Sequence, residues 1–485
     1  MSEPHPSQYG SSRTEQGSAR IKFRRALTLM AMTLLLPGSA QIVMGNKRVG
    51  RIALRIWLLS WLAVGLVVLL AMTWRSSILT LVTTGSVMWC VRTAAVLIAL
   101  GWAALFFDAW RLGAPLELRR PHRLAMAGVN SLLCFVTAGS LLFGAHVMAV
   151  QQDFMAAVFG GHEISVPKQG RYNVLLLGAD SGKGRVGLRP DSLSVASIDQ
   201  ETGKTVLVGL PRNLAKVRFP KGSTMDKEFP KGFDCEGCYL NSVNTWAEDH
   251  KELFPGVKHP GIAATKQAVE ATTGLKINYY AMVNLHGFRA LVDSVGGVRI
   301  RVPARVPIGG IGSPITGYVP KGIHTLNGKQ TLWFARSRVA NNDYSRMARQ
   351  KCVMSAMLQQ LSPQKILFNV KDLADSSKKM LETDIPEKDS ATFIDLALKA
   401  RATKVSTVSV VPPAIDTSDP DIGDIHAMVG RAIDKSEGKR VSAAKGPELT
   451  RAEKERAEQE KLQAPDRDKK RASAVNDSED LNAAC

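Results

Sequence analysis

Two stretches of the sequence contain both carboxylates and arginines, the residue types that form a metal-assisted phosphate site. In the first, Asp180 directly follows an apolar run and Asp191 stands just before the next one. Two carboxylates at neighbouring strand ends suit an octahedral Mg²⁺, which binds one or two carboxylates with waters and phosphate oxygens. Arg189 and Arg212 flank them, and a guanidinium is a fixed fork of donors that matches phosphate geometry. The stretch predicts a metal-assisted phosphate site with Asp180 and Asp191 as metal ligands.

The second stretch, residues 333–350, adds more of the same chemistry. Arg336 and Arg338 are two positions apart, so they share a face only on extended chain. We therefore expect both on an extended segment that leaves a short helix. Asp343, Arg346 and Gln350 have the i, i+3, i+7 spacing of one helical face. Together the two stretches have the composition of a metal-assisted pyrophosphate site, in which cations stabilise developing negative charge.

Each piece also has a simpler interpretation when it is taken alone. An Arg-x-Arg is commonly a solvated face, and an Asp after a strand is commonly a turn or cap residue. An Asp–Arg pair at i, i+3 is commonly a helix surface pair. Arg349 falls off the predicted helical face, and we expect a structural role for it. Only the conjunction of these residues indicates a pyrophosphate site.

The elements that must position these residues form a mixed α/β pattern. A buried strand is predicted at Tyr172–Leu177, and two more at Ser192–Ile198 and Thr205–Leu210 form a hairpin. A helix is predicted at Ala263–Thr273, closed by Gly274. Further along the chain, strands at Ile277–Val283 and Val298–Val302 and helices at His286–Val295 and about Asp343 to Leu361 are predicted. Strands and helices mix without a strict βαβ repeat, so we predict a mixed-sheet, three-layer α/β sandwich.

Residues 26–150 are apolar enough to form a transmembrane helical region before this domain. We predict crossings at about 51–74, 78–107 and 124–150, each long enough to span a bilayer. Residues 26–45, broken by Pro37-Gly38, are predicted to be re-entrant or interfacial. The basic clusters between these segments place residues 1–25 in the cytoplasm by the positive-inside rule. The chain after residue 150 is therefore expected outside the cell.

The remaining sequence divides into a predicted stalk at 151–170, a catalytic domain at 171–433 and a charged, disordered tail at 434–485. Cys235 and Cys238 form one CxxC pair. Zinc, a redox role and a local disulfide are all open, and an extracytoplasmic location favours the disulfide. The net charge of +20 does not indicate nucleic-acid binding, because the arginines of the site alternate with aspartates instead of forming a basic stripe.

These motifs, in this order, resemble those of the LytR–CpsA–Psr family of cell-envelope proteins over roughly residues 170–365. The resemblance rests on Gly178-Ala179-Asp180, Arg189-Pro190-Asp191, Pro211-Arg212, Arg336-Ser337-Arg338 and the helix Asp343-Tyr344-Ser345-Arg346-Met347-Ala348-Arg349-Gln350. It implies an enzyme that transfers a glycopolymer from a polyprenyl-pyrophosphate carrier to peptidoglycan, outside the membrane, through a phosphodiester link. The multi-span anchor and the Cys235–Cys238 loop are actinobacterial in style, which implies an arabinogalactan-like or teichoic glycan.

The resemblance also implies a role for each site residue. Mg²⁺ or another divalent cation would be held by Asp180 and Asp191. The pyrophosphate would be clamped by Arg189, Arg212, Arg336, Arg338 and Arg346. Asp343 would activate the acceptor hydroxyl or order an arginine, and Gln350 would complete the site. The implied partners are the lipid-linked glycan, the peptidoglycan acceptor and the lipid bilayer.

Two positions depart from the family pattern. Asn213 stands where the family usually has Asp after Pro-Arg, and Tyr239 stands where many members have Lys before Leu-Asn. These departures put the metal dependence and one phosphate contact in doubt. Two alternatives therefore stay open: a polyprenyl pyrophosphatase that uses water as the nucleophile, and a non-catalytic, membrane-anchored regulator or scaffold.

Overall fold

The computed structural model describes residues 11–74, 84–161, 163–179, 190–310, 313–337, 343–360 and 381–439, with the backbone alone at residues 11–19, 154, 157, 160 and 343. The chain divides into two compact units, Met1–Gln152 and Asp153–Cys485. The first unit is helical in its described part, and the second mixes strands and helices.

Five α-helices make up the described part of the first unit. They are α1 (Ser11–Leu35), α2 (Ser39–Val43), α3 (Lys47–Thr73), α4 (Gly85–Leu112) and α5 (Arg120–Val158), which continues into the second unit. Among the described residues, three helical stretches are long and apolar enough to cross a membrane: Lys47–Thr73, Gly85–Leu112 and Arg120–Asp153. They overlap the three predicted crossings. The broken segment 26–45 comprises the end of α1, a turn and α2, and holds no candidate span.

The turn between α1 and α2 follows from its residues. Gly38 has φ of 92°, a left-handed conformation that glycine adopts without steric cost. A Cβ on Gly38 would lie 2.4 Å from the Gly50 carbonyl oxygen, so α2 and α3 approach closely only because both positions lack side chains. The side-chain amide of Gln41 donates through Nε2 to the Leu105 carbonyl at 3.1 Å. This hydrogen bond joins α2 to α4.

The second unit is built on a seven-stranded mixed sheet with the order β1-β10-β5-β2-β3-β4-β11. Its strands are β1 (Phe159–Gly161), β2 (Arg171–Ala179), β3 (Pro190–Asp199), β4 (Thr205–Leu210), β5 (Tyr279–Asn284), β10 (Leu381–Pro386) and β11 (Ser406–Ser409). Two small antiparallel pairs lie outside it, β6 (Val298–Val302) with β9 (Gly322–Leu326) and β7 (Val306–Ile308) with β8 (Gly317–Val319). The helices are α6 (Thr224–Glu228), α7 (Val243–Asp249), α8 (Pro260–Thr273), α9 (Leu285–Ser294), α10 (Gly328–Arg336), α11 (Asp343–Gln360), α12 (Ser390–Ala402) and α13 (Ile422–Glu437).

Both faces of the central strands are covered, because their side chains alternate between two apolar clusters. One face, which includes Leu175 and Val195, packs with residues of α7, α8 and α13. The opposite face, which includes Ala196 and Leu207, packs against Met354 and Leu358 of α11. This explains why the strands read as nearly continuous apolar runs. The predicted mixed α/β architecture is confirmed.

The β3–β4 hairpin turns at an aspartate. The Thr202 amide and hydroxyl both donate to Asp199 Oδ1, at 2.7 Å each. Burial acts to raise the pKa of Asp199, but these hydrogen bonds and the charge of Arg171 outweigh it, so the pKa lies below its ordinary value. The turn is therefore stabilised by the ionised carboxylate.

A buried arginine joins the first long strand of the unit to its last described helix. Arg171 at the start of β2 is 3% exposed. Its guanidinium donates to the Ser197 carbonyl at 2.8 Å and to the Lys204 carbonyl at 3.0 Å. It also pairs with Glu437 at 3.2 Å, at the end of α13. We name this set the Arg171 clamp.

The structure differs from the sequence predictions at the edges of this unit. Within the predicted stalk, α5 continues to Val158 and β1 pairs with β10. Asn278 binds the Val166 carbonyl at 2.7 Å, so these residues are fastened to the sheet. Helix α13 continues past residue 433, where Ile433 packs against the core and Glu437 pairs with Arg171. Residues 440–485, most of the predicted tail, lie outside the described residues.

The Cys235–Cys238 pair is a disulfide. It follows Phe233, a core residue, and precedes the segment that reaches the arginine loop of the site. Of the three interpretations of this CxxC motif, the local disulfide is therefore confirmed.

Candidate active site

Three of the predicted site residues meet at one end of the central sheet. Asp191 is the second residue of β3. Its Oδ1 accepts from Arg212 Nη1 at 2.8 Å and lies 3.8 Å from Arg346 Nη1. The side chains of Asp191 and Arg212 are 25% and 21% exposed, whereas that of Arg346 is 2% exposed. The site therefore consists of a partly exposed carboxylate and arginine next to a buried arginine.

The strand ends explain how Arg212 reaches Asp191. Leu210, the last residue of β4, pairs in register with Leu193 of β3. Arg212 lies two residues after Leu210, and Asp191 lies two residues before Leu193. The Arg212 carbonyl accepts from the Asn241 amide at 3.0 Å. The loop that carries the arginine is thus held in place by a neighbouring segment.

Helix α11 supplies the buried arginine and fixes the next motif. Arg349, one turn beyond Arg346, donates through Nε to the Phe334 carbonyl at 2.7 Å and through Nη2 to the Ser337 carbonyl. These carbonyls lie at the C-terminal end of α10, where a helix leaves acceptors without intrahelical donors. The predicted structural role of Arg349 is confirmed, and the structure adds its function: it holds the end of α10 against α11.

The placement of the Arg-x-Arg motif on extended chain was wrong for its first residue. Arg336 is the last residue of α10, and Ser337, which follows it, is extended with φ −56° and ψ 132°. A capping box between Asn327 and Gln330 begins this helix, and the helix runs on through Arg336. The Arg336 guanidinium carbon lies 5.9 Å from the ring centre of Trp333. Arg338 lies outside the described residues.

Gln350 lies in a cleft beside Asp191. The cleft separates α11 from the sheet face of β3, β4 and β11. Residues that line it include Ser192, Leu207, Met347, Gln350 and Met354. Its lining therefore mixes apolar and polar side chains, and two of its residues, Ser192 and Met347, directly follow Asp191 and Arg346 in the chain.

Several predicted residues cannot be placed. Asp180 and Arg189 lie outside the described residues. Asp343 is the first residue of α11, and its side chain is not described. The structure thus brings together Asp191, Arg212 and Arg346, and places Gln350 in the adjoining cleft.

The two departures from the family pattern lie on the loop beside the site. Asn213 directly follows Arg212, and its Oδ1 is buried with no hydrogen-bond partner among the described residues. Tyr239 is 43% exposed, and its amide donates to the Ser242 hydroxyl at 2.9 Å. It directly precedes the segment whose Asn241 amide binds the Arg212 carbonyl.

The described part of the cluster suits a phosphate group. The guanidinium groups of Arg212 and Arg346 stay charged at all physiological pH values. Their donors match the geometry of phosphate oxygens, so both can bind a pyrophosphate.

A divalent cation fits the described donor set together with phosphate. Among the described residues, no group of three or more His, Cys, Asp or Glu side chains could hold a metal. Asp191 accepts a hydrogen bond from Arg212. Mg²⁺ commonly binds through one or two carboxylates and completes its shell with waters and substrate phosphates, so Asp191 and a bound pyrophosphate would supply ligands that suit it.

Comparison with known proteins places the chain in a family. The sequence model of the LytR_cpsA_psr family matches residues 148–422, more than half of the chain. The chain belongs to the LytR–CpsA–Psr family. The match includes every predicted site residue, from Asp180 to Gln350.

Named relatives exist for part of the chain. The polyisoprenyl-teichoic acid–peptidoglycan teichoic acid transferase TagU of Oceanobacillus iheyensis is 29% identical over 215 residues, 44% of this chain and 58% of that protein. The TagU of Bacillus subtilis is 28% identical over 198 residues, 40% of this chain and 54% of that protein. The chain thus spans little more than half the length of these curated relatives. Protein gbs0355 from Streptococcus agalactiae, a crystal structure, aligns with a TM-score of 0.43 at 21% identity, over 56% of this chain and 90% of that one.

Proposed function

We propose that the protein transfers a glycopolymer from a polyprenyl-pyrophosphate carrier to peptidoglycan. The observation that carries the proposal is the meeting of Asp191, Arg212 and Arg346 beside the cleft that Gln350 lines. Such a site presents two arginines to the oxygens of a pyrophosphate. Family membership and relatives named as teichoic acid transferases support the same activity.

The chemistry requires charge stabilisation more than covalent help from the protein. The acceptor is a hydroxyl of peptidoglycan, which we propose to be the muramic acid C6 hydroxyl. Its oxygen forms a bond to the phosphorus attached to the glycan, and the bond between that phosphorus and the bridging oxygen breaks. The hydroxyl proton leaves to a base, for which Asp343 is the proposed candidate. The products are a phosphodiester-linked glycan and polyprenyl phosphate.

Each predicted site residue has a role in this scheme. Arg346 and Arg212 bind oxygens of the pyrophosphate and stabilise the charge that grows on the departing polyprenyl phosphate. Gln350 orients a phosphate or the acceptor from the cleft wall. Arg189, Arg336 and Arg338 are proposed as further phosphate ligands. Asp180 and Asp191 would hold the cation, which supplies additional neutralisation of phosphate charge when it is bound.

The location follows from the helices before the domain. We propose that α3, α4 and α5 all cross the membrane and that the three-layer α/β domain lies outside the cell. Peptidoglycan is there, and the carrier's pyrophosphate lies at that surface. The three helices long enough to span support a membrane anchor.

The test uses the full-length protein in lipid nanodiscs with a polyprenyl-pyrophosphate-linked glycan, peptidoglycan and Mg²⁺. Glycan bound covalently to the wall, abolished in Asp191→Asn and Arg346→Met but retained in Arg218→Gln, would support transfer. Release of polyprenyl phosphate without attachment of glycan would identify a pyrophosphatase. Absence of both products in the wild type would favour the regulator or scaffold.

A further inference from the structure

The segment between α9 and α11 carries only positive charge. Residues 294–342 contain no Asp or Glu, although the whole chain has 43 in 485 residues. About four would be expected in a stretch of that length. The same stretch contains seven basic residues: Arg299, Arg301, Arg305, Lys321, Lys329, Arg336 and Arg338. This segment forms β6 to β9 and α10, and it ends in the proposed phosphate arginines.

The small sheet β6–β9 turns its basic side chains to solvent. Val298, Ile300 and Val302 are buried in a core shared with α10 and α11. Arg299 and Arg301, which alternate with them, are exposed. Side chains two apart on a strand are about 7 Å apart, so the two guanidinium groups form a short row on one face.

Neighbouring residues extend this face without adding negative charge. Arg299 pairs in register with Thr325, and Arg301 with Ile323, which is 58% exposed. Arg305 stacks on the ring of Tyr318, with its guanidinium carbon 3.6 Å from the ring centre. Stacking of this kind fixes the direction of a guanidinium before any ligand arrives. We call the exposed side of β6–β9, with Arg305, Tyr318 and Lys321, the basic face.

The basic face is fastened to the helix that carries the site. The Arg299 amide donates to Gln360 Oε1 at 2.7 Å, and Gln360 Nε2 donates to the Arg299 carbonyl at 2.8 Å. Gln360 is the last residue of α11, the helix that contains Arg346. A ligand held on β6 is thus held on a rigid element shared with the site.

We propose that the basic face docks the anionic, phosphate-bearing glycan of the donor. The inference rests on the proposed function and names the part of the substrate that this surface binds. Arginine forks match phosphate oxygens, and a row of like charges selects a repeating polyanion over an isolated anion. The donor is favoured over the wall because its glycan is covalently joined to the pyrophosphate, and the same acid-free segment leads from the basic face to Arg336.

The test is a binding measurement on the full-length protein in nanodiscs of neutral lipid. The probe is a fluorescent poly(glycerol phosphate) decamer without lipid, titrated by anisotropy at several salt concentrations. The double variant Arg299→Gln, Arg301→Gln is compared with Lys251→Gln, Lys258→Gln, which removes two exposed charges elsewhere on the domain. We expect the first pair to weaken binding at least fivefold and to reduce its salt dependence. The second pair is expected to bind like the wild type.

Turnover separates this inference from the proposed function. With a long lipid-linked donor, the arginine pair is expected to raise KM about fivefold with kcat unchanged, and with a single-sugar donor to change neither. Equal decamer binding by wild type and arginine pair would overturn the basic face as a docking surface. The same conclusion would follow if the arginine pair weakened the binding of solubilised peptidoglycan fragments but not the binding of the decamer. Decamer binding that depends on the arginine pair, in a protein with no transfer activity, would sustain the basic face and refute the transferase.

Discussion

Replacing Arg212 by Gln should change the affinities for metal and for phosphate in opposite directions. Arg212 Nη1 lies 2.8 Å from Asp191 Oδ1, so the arginine competes with any cation for that carboxylate. The same guanidinium is a proposed ligand of the pyrophosphate. The variant should therefore bind Mg²⁺ alone more tightly than the wild type, and inorganic pyrophosphate alone more weakly.

The size of the effect follows from the geometry. Two unit charges about 4 Å apart attract by ~1 kcal/mol in water and by ~4 kcal/mol at an effective dielectric constant of about 20. Solvent reaches both side chains, which are 21% and 25% exposed, so the lower half of that range applies. About 1–2 kcal/mol corresponds to a roughly 5- to 30-fold gain in Mg²⁺ affinity.

Isothermal titration of the full-length protein in detergent measures both ligands singly and then together. Arg218→Gln, at an exposed position six residues along the same loop, is the matched control and should change neither affinity. In the wild type, pyrophosphate should also strengthen Mg²⁺ binding, because it draws the arginine from the carboxylate. An unchanged Mg²⁺ affinity in Arg212→Gln would show that Asp191 is not a cation ligand, and the reasoning would fail.

Outcomes are expected for four further variants. Arg349→Met should lower the free energy of unfolding by about 2–4 kcal/mol in urea titrations, because two charge-assisted hydrogen bonds to backbone carbonyls are lost. Arg346→Met, one turn earlier, should instead abolish transfer with a smaller loss of stability. If Arg349→Met abolished transfer and Arg346→Met were the more destabilising variant, Arg346 would be the structural residue and Arg349 the residue of the site. Asp199→Ala should cost about 1 kcal/mol at pH 7; because the native pKa is lowered, this difference should persist above pH 4 and vanish as pH falls through the native pKa, as urea titrations at several pH values would show. Asn213→Asp should lower the melting temperature without Mg²⁺ and regain it in millimolar Mg²⁺, because it places a carboxylate at a buried position; insensitivity to Mg²⁺ would separate this residue from the metal.

The elements with local signals could be predicted from the sequence. The bounds of β4 match the prediction at Thr205–Leu210, because an apolar run follows directly on a glycine turn. Helix α8 ends at Thr273 before Gly274 in the left-handed conformation, as its sequence indicated. Both features depend on residues a few positions apart, for which spacing and turn chemistry are sufficient.

The features decided by contacts distant in sequence could not be predicted in the same way. The spacing of Arg336 and Arg338 indicated extended chain, but Arg349 from another helix holds the end of α10. The pairing of Asp191 with a buried Arg346 depends on α11 crossing the sheet face of β3 and β4. Spacing alone identified both residues as candidates, and the family pattern indicated that they meet.

The Arg171 clamp has a mechanical consequence. It joins the start of β2 to the end of α13 through the Glu437 pair, so both ends of the segment from Arg171 to Glu437 are held at one place. Tension applied between Arg171 and Gly438 would break the contacts of the clamp one after another. The strands that end at Asp191 and Arg212 would carry little of that load. The clamp would yield first, and the central sheet would keep its shape.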